Sequence, residues 1–277
     1  MSRLARARRR FRARRLQQRL ARTGPPGTFV PHRLAAAADA GAPALAPLFA
    51  AAGPAFLEGL ALIEAHGDDL ARFGGPAPAP RFEQDWFPGL DAAALYALVR
   101  RHRPRQVVEI GSGHSTRIAA RAIADGGLDT RFVAIDPAPR AAIARLPITW
   151  RREAVQTADP LLAAGLGAND VLFVDSSHVL VAGSDVAVLA GDWLPRLRPG
   201  ALLHVHDVFL PDAYPRGWHW RGYNEQAVVA ALLTGGFELV FASHWVRTRM
   251  PERLGPVARA LPLPPHARES SLWLRRC

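Results

Sequence analysis

The sequence predicts an α/β fold: a doubly wound, mostly parallel seven-stranded sheet with a helical N-terminal extension. Two observations predict it. Short apolar strands alternate with helical stretches of roughly ten residues, which implies parallel crossovers. Runs such as Val171-Leu172-Phe173-Val174 are apolar throughout, which suits strands buried on both faces.

The elements follow in order. Residues 1–24 are a basic tail, disordered or a surface helix. Residues 25–84 are a helical extension with linkers, "TGPPGTFVPHR" and "GGPAPAP" being the linker sequences. The best helix there is "PAFLEGLALIEAHGDDLARF", with Phe56, Leu60 and Ile63 at helical spacing. Residues 85–277 form the main domain. "DAAALYALVRR" reads as a helix with Asp91 near its start. "QVVEI" is then a strand, and a helix follows Ser115. "RFVAI" leads to Asp136, a helix around 138–145 and the strand "ITWRREA". "DVLFV" leads to Asp175 and a helix over about 184–197. "ALLHVH" leads to Asp207 and a helix over about 224–234. "FELVFA" and "SSLWLRR" close the sheet.

Composition narrows the class. Of 277 residues 49% are hydrophobic, enough for a sizeable core. The single cysteine, Cys277, has no intrachain partner, which suits a reducing, cytoplasmic setting. The net charge of +11 is concentrated, because residues 1–22 carry ten arginines and no acid. The remaining 25 arginines face 24 carboxylates, so the rest of the chain is close to neutral. As a helix, the tail would show a narrow apolar stripe (Leu4, Phe11, Leu16, Leu20) able to touch anionic membrane or nucleic acid, but charge runs are more often simply solvated. No targeting signal is expected, because Pro25, Pro26, Pro31 and Arg33 interrupt the apolar core that should follow the twin arginines. Asp39, Pro43 and Pro47 break the Ala-rich stretch 34–54 well short of a membrane span. A soluble protein is expected.

The most informative stretch is "EIGSGHST" at 109–116, a strand end, a glycine turn and a helix start. In doubly wound sheets ligands bind outside the carboxyl ends of the strands, where this turn lies. A dinucleotide fingerprint asks for a third glycine at 116, where the chain has Thr116, so a nicotinamide oxidoreductase is disfavoured. Glu109 before the turn suits a cation better than a phosphate. Asp136, ending the second strand, suits ribose hydroxyls; it would otherwise cap a helix. This set points to S-adenosylmethionine, which has a ribose, a sulfonium and an amino group but no phosphate.

The chain resembles the class I S-adenosylmethionine-dependent methyltransferases, nearest to small-molecule O-methyltransferases with a "DGxH…HD" pattern. The stretches "VVEIGSGHST", "FVAIDP", "DVLFVDSSHVL", "LPRLRPGALLHVHD" and "SLWLRR" carry the resemblance over about 85–277. It implies that Glu109, Gly111, Ser112, Gly113 and Asp136 line the cofactor pocket, with Ser115 near the methionine end and Gln156 near the adenine edge. The family's "DG" is Asp175-Ser176 here.

Asp175 and Asp207 end neighbouring strands, with His178 and His206 close by in sequence. A methyl acceptor must be held close and aligned, and a hydroxyl must lose its proton. His178 or His206 is the expected base, oriented by an Asp. Asp175 and Asp207 also resemble the magnesium-holding positions of catechol-type O-methyltransferases. Those enzymes place an Asn beside the second Asp, where this chain has Val208, leaving Asn224 or Glu225 as the third ligand. The blander alternatives are His178 capping its loop, the two Asp residues capping helices, and His204 as a structural histidine. The aromatic segment "FLPDAYPRGWHWRGY" reads as a loop over the acceptor, with Tyr214, Trp218, Trp220 and Asn224 as substrate contacts. The expected function is O-methylation of a small hydroxylated acceptor, a sugar or secondary metabolite. The alternatives are a nucleic-acid methyltransferase using the basic tail and a non-catalytic cofactor-binding module. No nucleic-acid or membrane partner is specified, and a homo-oligomer is left open.

Overall fold

The computed structural model describes residues 41–277. The basic tail, the first linker and residues 34–40 lie outside the described residues.

Three helices come first: α1 (Ala46–Ala51), α2 (Gly53–Ala65) and α3 (Gly67–Ala71). Helix α4 (Gly89–His102) follows and is buried from Gly89 through Val99. Then come β1 (Gln106–Ile110), α5 (His114–Asp125), β2 (Arg131–Ile135), β3 (Thr149–Arg151) and the short α6 (Leu161–Ala164). Next are β4 (Val171–Val174) and α7 (Asp185–Val188), which a π-helical turn over Leu189–Trp193 prolongs. The chain ends with β5 (Leu202–Val205), α8 (Gln226–Leu233), β6 (Phe237–Ala242), α9 (Ser243–Arg249), α10 (Pro256–Ala260) and β7 (Leu272–Arg276).

The seven strands form one sheet in the order β3-β2-β1-β4-β5-β7-β6, and β7 pairs antiparallel with both neighbours. The sheet is thus doubly wound and mostly parallel, as the apolar runs predict. The helices before the sheet are part of the same core: Phe56 meets Phe241 edge-on at 6.3 Å. A Cβ on Gly59 of α2 would stand 2.5 Å from the Phe241 ring, so this crossing needs glycine for closeness. Among the described residues no single helix is long and apolar enough to cross a membrane.

Register brings the chemistry to one edge. Ile110 is paired with both Ile135 and Val174, and Val174 with Val205. The next residue of each strand continues the ladder: Gly111 N–H donates to Ile135 O, Asp175 N–H to Ile110 O and His206 N–H to Val174 O. Gly111, Asp136, Asp175 and His206 therefore stand in one row along the carboxyl edge, where strand order reverses between β1 and β4.

Two expected elements differ. Residues 138–145 form no helix. That segment has one buried apolar side chain, Ile143, and its Ala142 carbonyl accepts from the Arg117 side chain, so little favours a regular turn. The strand expected over "ITWRREA" is paired only at Thr149–Arg151, being the exposed edge of the sheet.

Candidate active site

The glycine turn is held by side-chain hydrogen bonds. Gly111 has φ +78°, and a Cβ there would lie 1.9 Å from the Asp175 carbonyl oxygen. Glycine is thus required by the passage of β1 beside β4. Thr116 accepts from Gly113 N–H at 2.8 Å and donates to Glu109 at 2.7 Å, while Ser115 donates to the other Glu109 oxygen at 2.6 Å. Thr116, where a dinucleotide site has glycine, is therefore a structural member of the turn. Glu109 is 1% exposed and does not line the cavity, which corrects its expected contact with the ligand. Burial pushes its carboxyl up to about 8, so it holds a proton at neutral pH and presents no charge.

This has a consequence for stability. The folded carboxyl keeps its proton up to about 8, whereas an ordinary glutamate loses it near 4.5. The unfolded chain therefore binds fewer protons across that window, and stability falls as pH rises through it. We predict that Glu109→Gln removes this contribution. Melting curves at the two ends of the window should show the variant gaining on the wild type at the alkaline end; a constant difference would mean that Glu109 ionises normally.

In front of the turn lies a cavity of about 410 Å³, within the range of small-molecule sites. Gly111, Ser112, Gly113, Ser115, Asp136 and Gln156 line it, together with Trp86, Phe87, His114 and Asp185, which sequence reasoning missed. Asp136 accepts from Ser112 N–H at 2.6 Å and Ala138 N–H at 2.7 Å, which aims its carboxylate along the cavity wall. Arg140 stacks on the exposed Trp86 at 4.6 Å. His114 Nδ1 is buried at this wall without a hydrogen-bond partner. Burial, with Arg117 and Arg81 nearby, pushes that imidazole down to about 4, so it is neutral there. Three carboxylates (Asp136, Asp175, Asp185) on the wall, and a polar atom left for a ligand, fit S-adenosylmethionine with its cationic sulfonium. The adjacency of His114 to the glycines was the available signal for it.

Behind Asp175 stands a second cluster. His178 Nε2 lies 3.3 Å from Asp175 and 3.4 Å from Asp207, and His206 Nδ1 lies 3.6 Å and 3.5 Å from the same two. Two carboxylates and two imidazoles thus alternate in a ring. Each imidazole is backed by a further carboxylate: Glu225 on His178 Nδ1 at 2.8 Å, and Asp91 on His206 Nε2 at 3.1 Å. His178 and Asp207 have φ of +61° and +56°, uncommon for non-glycine residues, and such strain concentrates at functional sites. The strained backbone is held locally, the His178 carbonyl accepting from Asn224 N–H at 3.0 Å and Glu225 N–H at 3.3 Å.

Burial alone would push both imidazoles down. For His178 the carboxylates of Asp207, Asp175 and Glu225 outweigh it, and for His206 those of Asp175, Asp207 and Asp91 do; both pKa values stand well above the usual histidine value. Burial would raise Asp175, but His206 and His178 hold it well below the usual carboxylate range. The expected histidine base is therefore protonated at rest. His204 is the structural histidine expected, stacked on Phe173 at 3.9 Å with Nε2 at 2.9 Å from Ser271 Oγ.

The expected metal set does not form. Asn224 accepts from Leu180 N–H at 2.6 Å, Glu225 is taken by His178, and the His178 ring stands between Asp175 and Asp207. Among the described residues no group of three or more His, Cys, Asp or Glu side chains could hold an ion. Neither Asn224 nor Glu225 therefore joins the two carboxylates as the expected third ligand.

The aromatic loop packs beside the ring. Tyr214, Trp218, Trp220 and Asn224, expected beside the acceptor, lie away from the cofactor cavity. Tyr214 is buried against Phe209 at 5.9 Å, and Trp218 lies beneath Arg221 at 3.9 Å. The loop instead reaches the ring through Tyr223, 4.7 Å from His178, and Arg221, 3.8 Å from Asp207.

Against known proteins, residues 108–208 match a family model described as a methyltransferase domain. No curated protein matches the chain. Among solved structures, the SAH-bound methyltransferase PaMTH1 of Podospora anserina is 15% identical, covering 78% of this chain and 88% of its own at a TM-score of 0.42. The O-methyltransferase TomG of Streptomyces achromogenes, involved in tomaymycin synthesis and in complex with SAM, is 19% identical, covering 79% and 89% at 0.39. An O-methyltransferase of Bacillus cereus in complex with SAH is 12% identical, covering 95% and 97% at 0.39. Likenesses this distant say nothing of substrate or mechanism. The family match, however, spans the strand ends from Val108 through Asp207, where the cavity and the ring meet, so residues 108–208 are similar to a methyltransferase domain.

Proposed function

We propose that this chain is an S-adenosylmethionine-dependent methyltransferase that acts on oxygen, methylating a hydroxyl of a small acceptor such as a sugar or secondary metabolite. The observation that carries the reading is the double position of Asp175. It lines the cofactor cavity and also closes the ring with His178 and His206. Bound S-adenosylmethionine supplies an electrophilic methyl group on a sulfonium. The chain's own residues must then hold the acceptor oxygen beside Asp175 and take its proton.

The ring is suited to both tasks. Asp175 and Asp207 accept a hydrogen bond from the acceptor hydroxyl, and His178 takes the proton at Nε2 in its neutral form. Glu225, bonded to Nδ1, fixes the tautomer that leaves Nε2 free to do so. Side-chain exposures of 18% for Asp175, 11% for Asp207 and 1% for His178 leave room for a small functional group rather than a large surface.

The experiment is an acceptor panel of phenols, sugars and hydroxy acids with radiolabelled S-adenosylmethionine, assayed with and without chelator. With the acceptor it finds, the rate should rise with pH, because the base must be neutral and its pKa is raised. The midpoint is expected above about 6.5, the ordinary histidine value, and the chelator should have no effect. A flat profile between about pH 6 and pH 9 would remove His178 as base. A loss with chelator that magnesium restores would mean that His178 swings aside for an ion. Transfer only to amine or thiol acceptors would overturn the oxygen assignment.

A further inference from the structure

We propose that Asp91 is a positioning residue of the transfer site: it fixes the His206 ring so that Nδ1 is held between Asp175 and Asp207. The inference rests on the reading of the carboxylate–imidazole ring as the site of transfer. Asp91 lies 115 residues from His206 in sequence, in the first turn of α4, and is 0% exposed. Its two oxygens have different work. Oδ1 accepts from Ser270 N–H at 3.1 Å, from Ser271 N–H at 3.0 Å and from the Ser243 hydroxyl. These bonds tie α4 to the start of α9 and to the segment entering β7. Oδ2 shares the Ser270 N–H at 3.0 Å and faces His206 Nε2 at 3.1 Å.

An amide oxygen at the first position would satisfy the structural donors as well as a carboxylate does. A carboxylate is needed only at the second, where the partner is a ring nitrogen whose other nitrogen faces Asp175 and Asp207. Phe87 packs on the His206 ring at 4.9 Å, which limits its tilt but leaves a flip about its own axis open. The bond at Nε2 is what distinguishes the two flips. A buried charge costs stability unless it is compensated, so its placement behind a site histidine asks for a use.

Asp91→Asn separates the two roles. Its Oδ1 keeps the serine donors, while its NH2 meets Nε2 as a donor, so that His206 can no longer carry a proton there and keeps only the one on Nδ1. Ser243→Ala is the control, since it removes a structural bond to Oδ1 and leaves Oδ2 alone. Imidazole nitrogen spectra of the histidine-labelled full chain, with and without S-adenosylhomocysteine, report the ring directly. The wild type should show a slowly exchanging His206 Nε2–H. Asp91→Asn should lose it and lower kcat roughly tenfold or more, with KM for S-adenosylmethionine within about twofold. Ser243→Ala should keep both the signal and the turnover. The proposal is overturned if Asp91→Asn retains the Nε2–H, or if Ser243→Ala lowers kcat as much. Failure of the underlying reading shows separately: the wild type would bind no S-adenosylmethionine, while the imidazole spectrum would still report whether Asp91 sets the ring.

Discussion

Gly111→Ala is expected to cost about 3 kcal/mol or more in stability and to abolish cofactor binding with it. Two effects add. A non-glycine residue at φ +78° is strained, and its Cβ would lie 1.9 Å from the Asp175 carbonyl oxygen. That oxygen is backbone, and the Asp175 N–H is tied to Ile110 O at 2.9 Å, so the neighbour gives way only if the end of β4 moves. Moving it also displaces Asp175, the residue shared by cavity and ring. Gly113→Ala is the contrast. The nearest atom to its added Cβ is at 3.7 Å, so the fold should survive and any loss should appear in cofactor affinity alone. Thermal melts and calorimetry of both variants check this, and a Gly111→Ala protein with wild-type melting and affinity would show that the turn is looser than described.

His178→Asn is expected to give the largest kinetic effect, a fall in transfer rate of roughly 10²- to 10⁴-fold, the range for removing a general base. His178 is 1% exposed and holds Asp175 and Asp207 on one nitrogen and Glu225 on the other. It does not line the cofactor cavity, so affinity for S-adenosylmethionine should change by only a few-fold. Single-turnover assays beside binding titrations separate the two. A transfer rate within about threefold of wild type would reduce His178 to a structural counter-ion.

The sheet was legible because its signal is local. Apolar runs such as Val171-Leu172-Phe173-Val174 state their own burial, and the turn at 111–113 follows from a glycine pair between a strand and a helix. Parallel register then places Asp136, Asp175 and His206 in one row without further information. Partnership of side chains was not legible in the same way. Glu225 reaches His178 across 47 residues and Asp91 reaches His206 across 115, distances over which only the finished packing decides who meets whom. Protonation was illegible for the same reason: Glu109 reads as a charge in sequence, and only its burial makes it neutral. Asn224 reads as a metal ligand or substrate contact until its amide is seen to cap Leu180. The cavity also took Trp86 and Phe87 from a stretch with no pattern.

Titration calorimetry of the full chain against S-adenosylmethionine, with NAD as the competitor, tests most directly whether the acidic wall beside the glycine turn receives a sulfonium. The expected result is one site of micromolar affinity for S-adenosylmethionine, weakened by Asp136→Ala, and no heat with NAD. Binding of NAD while S-adenosylmethionine gives none would contradict the account.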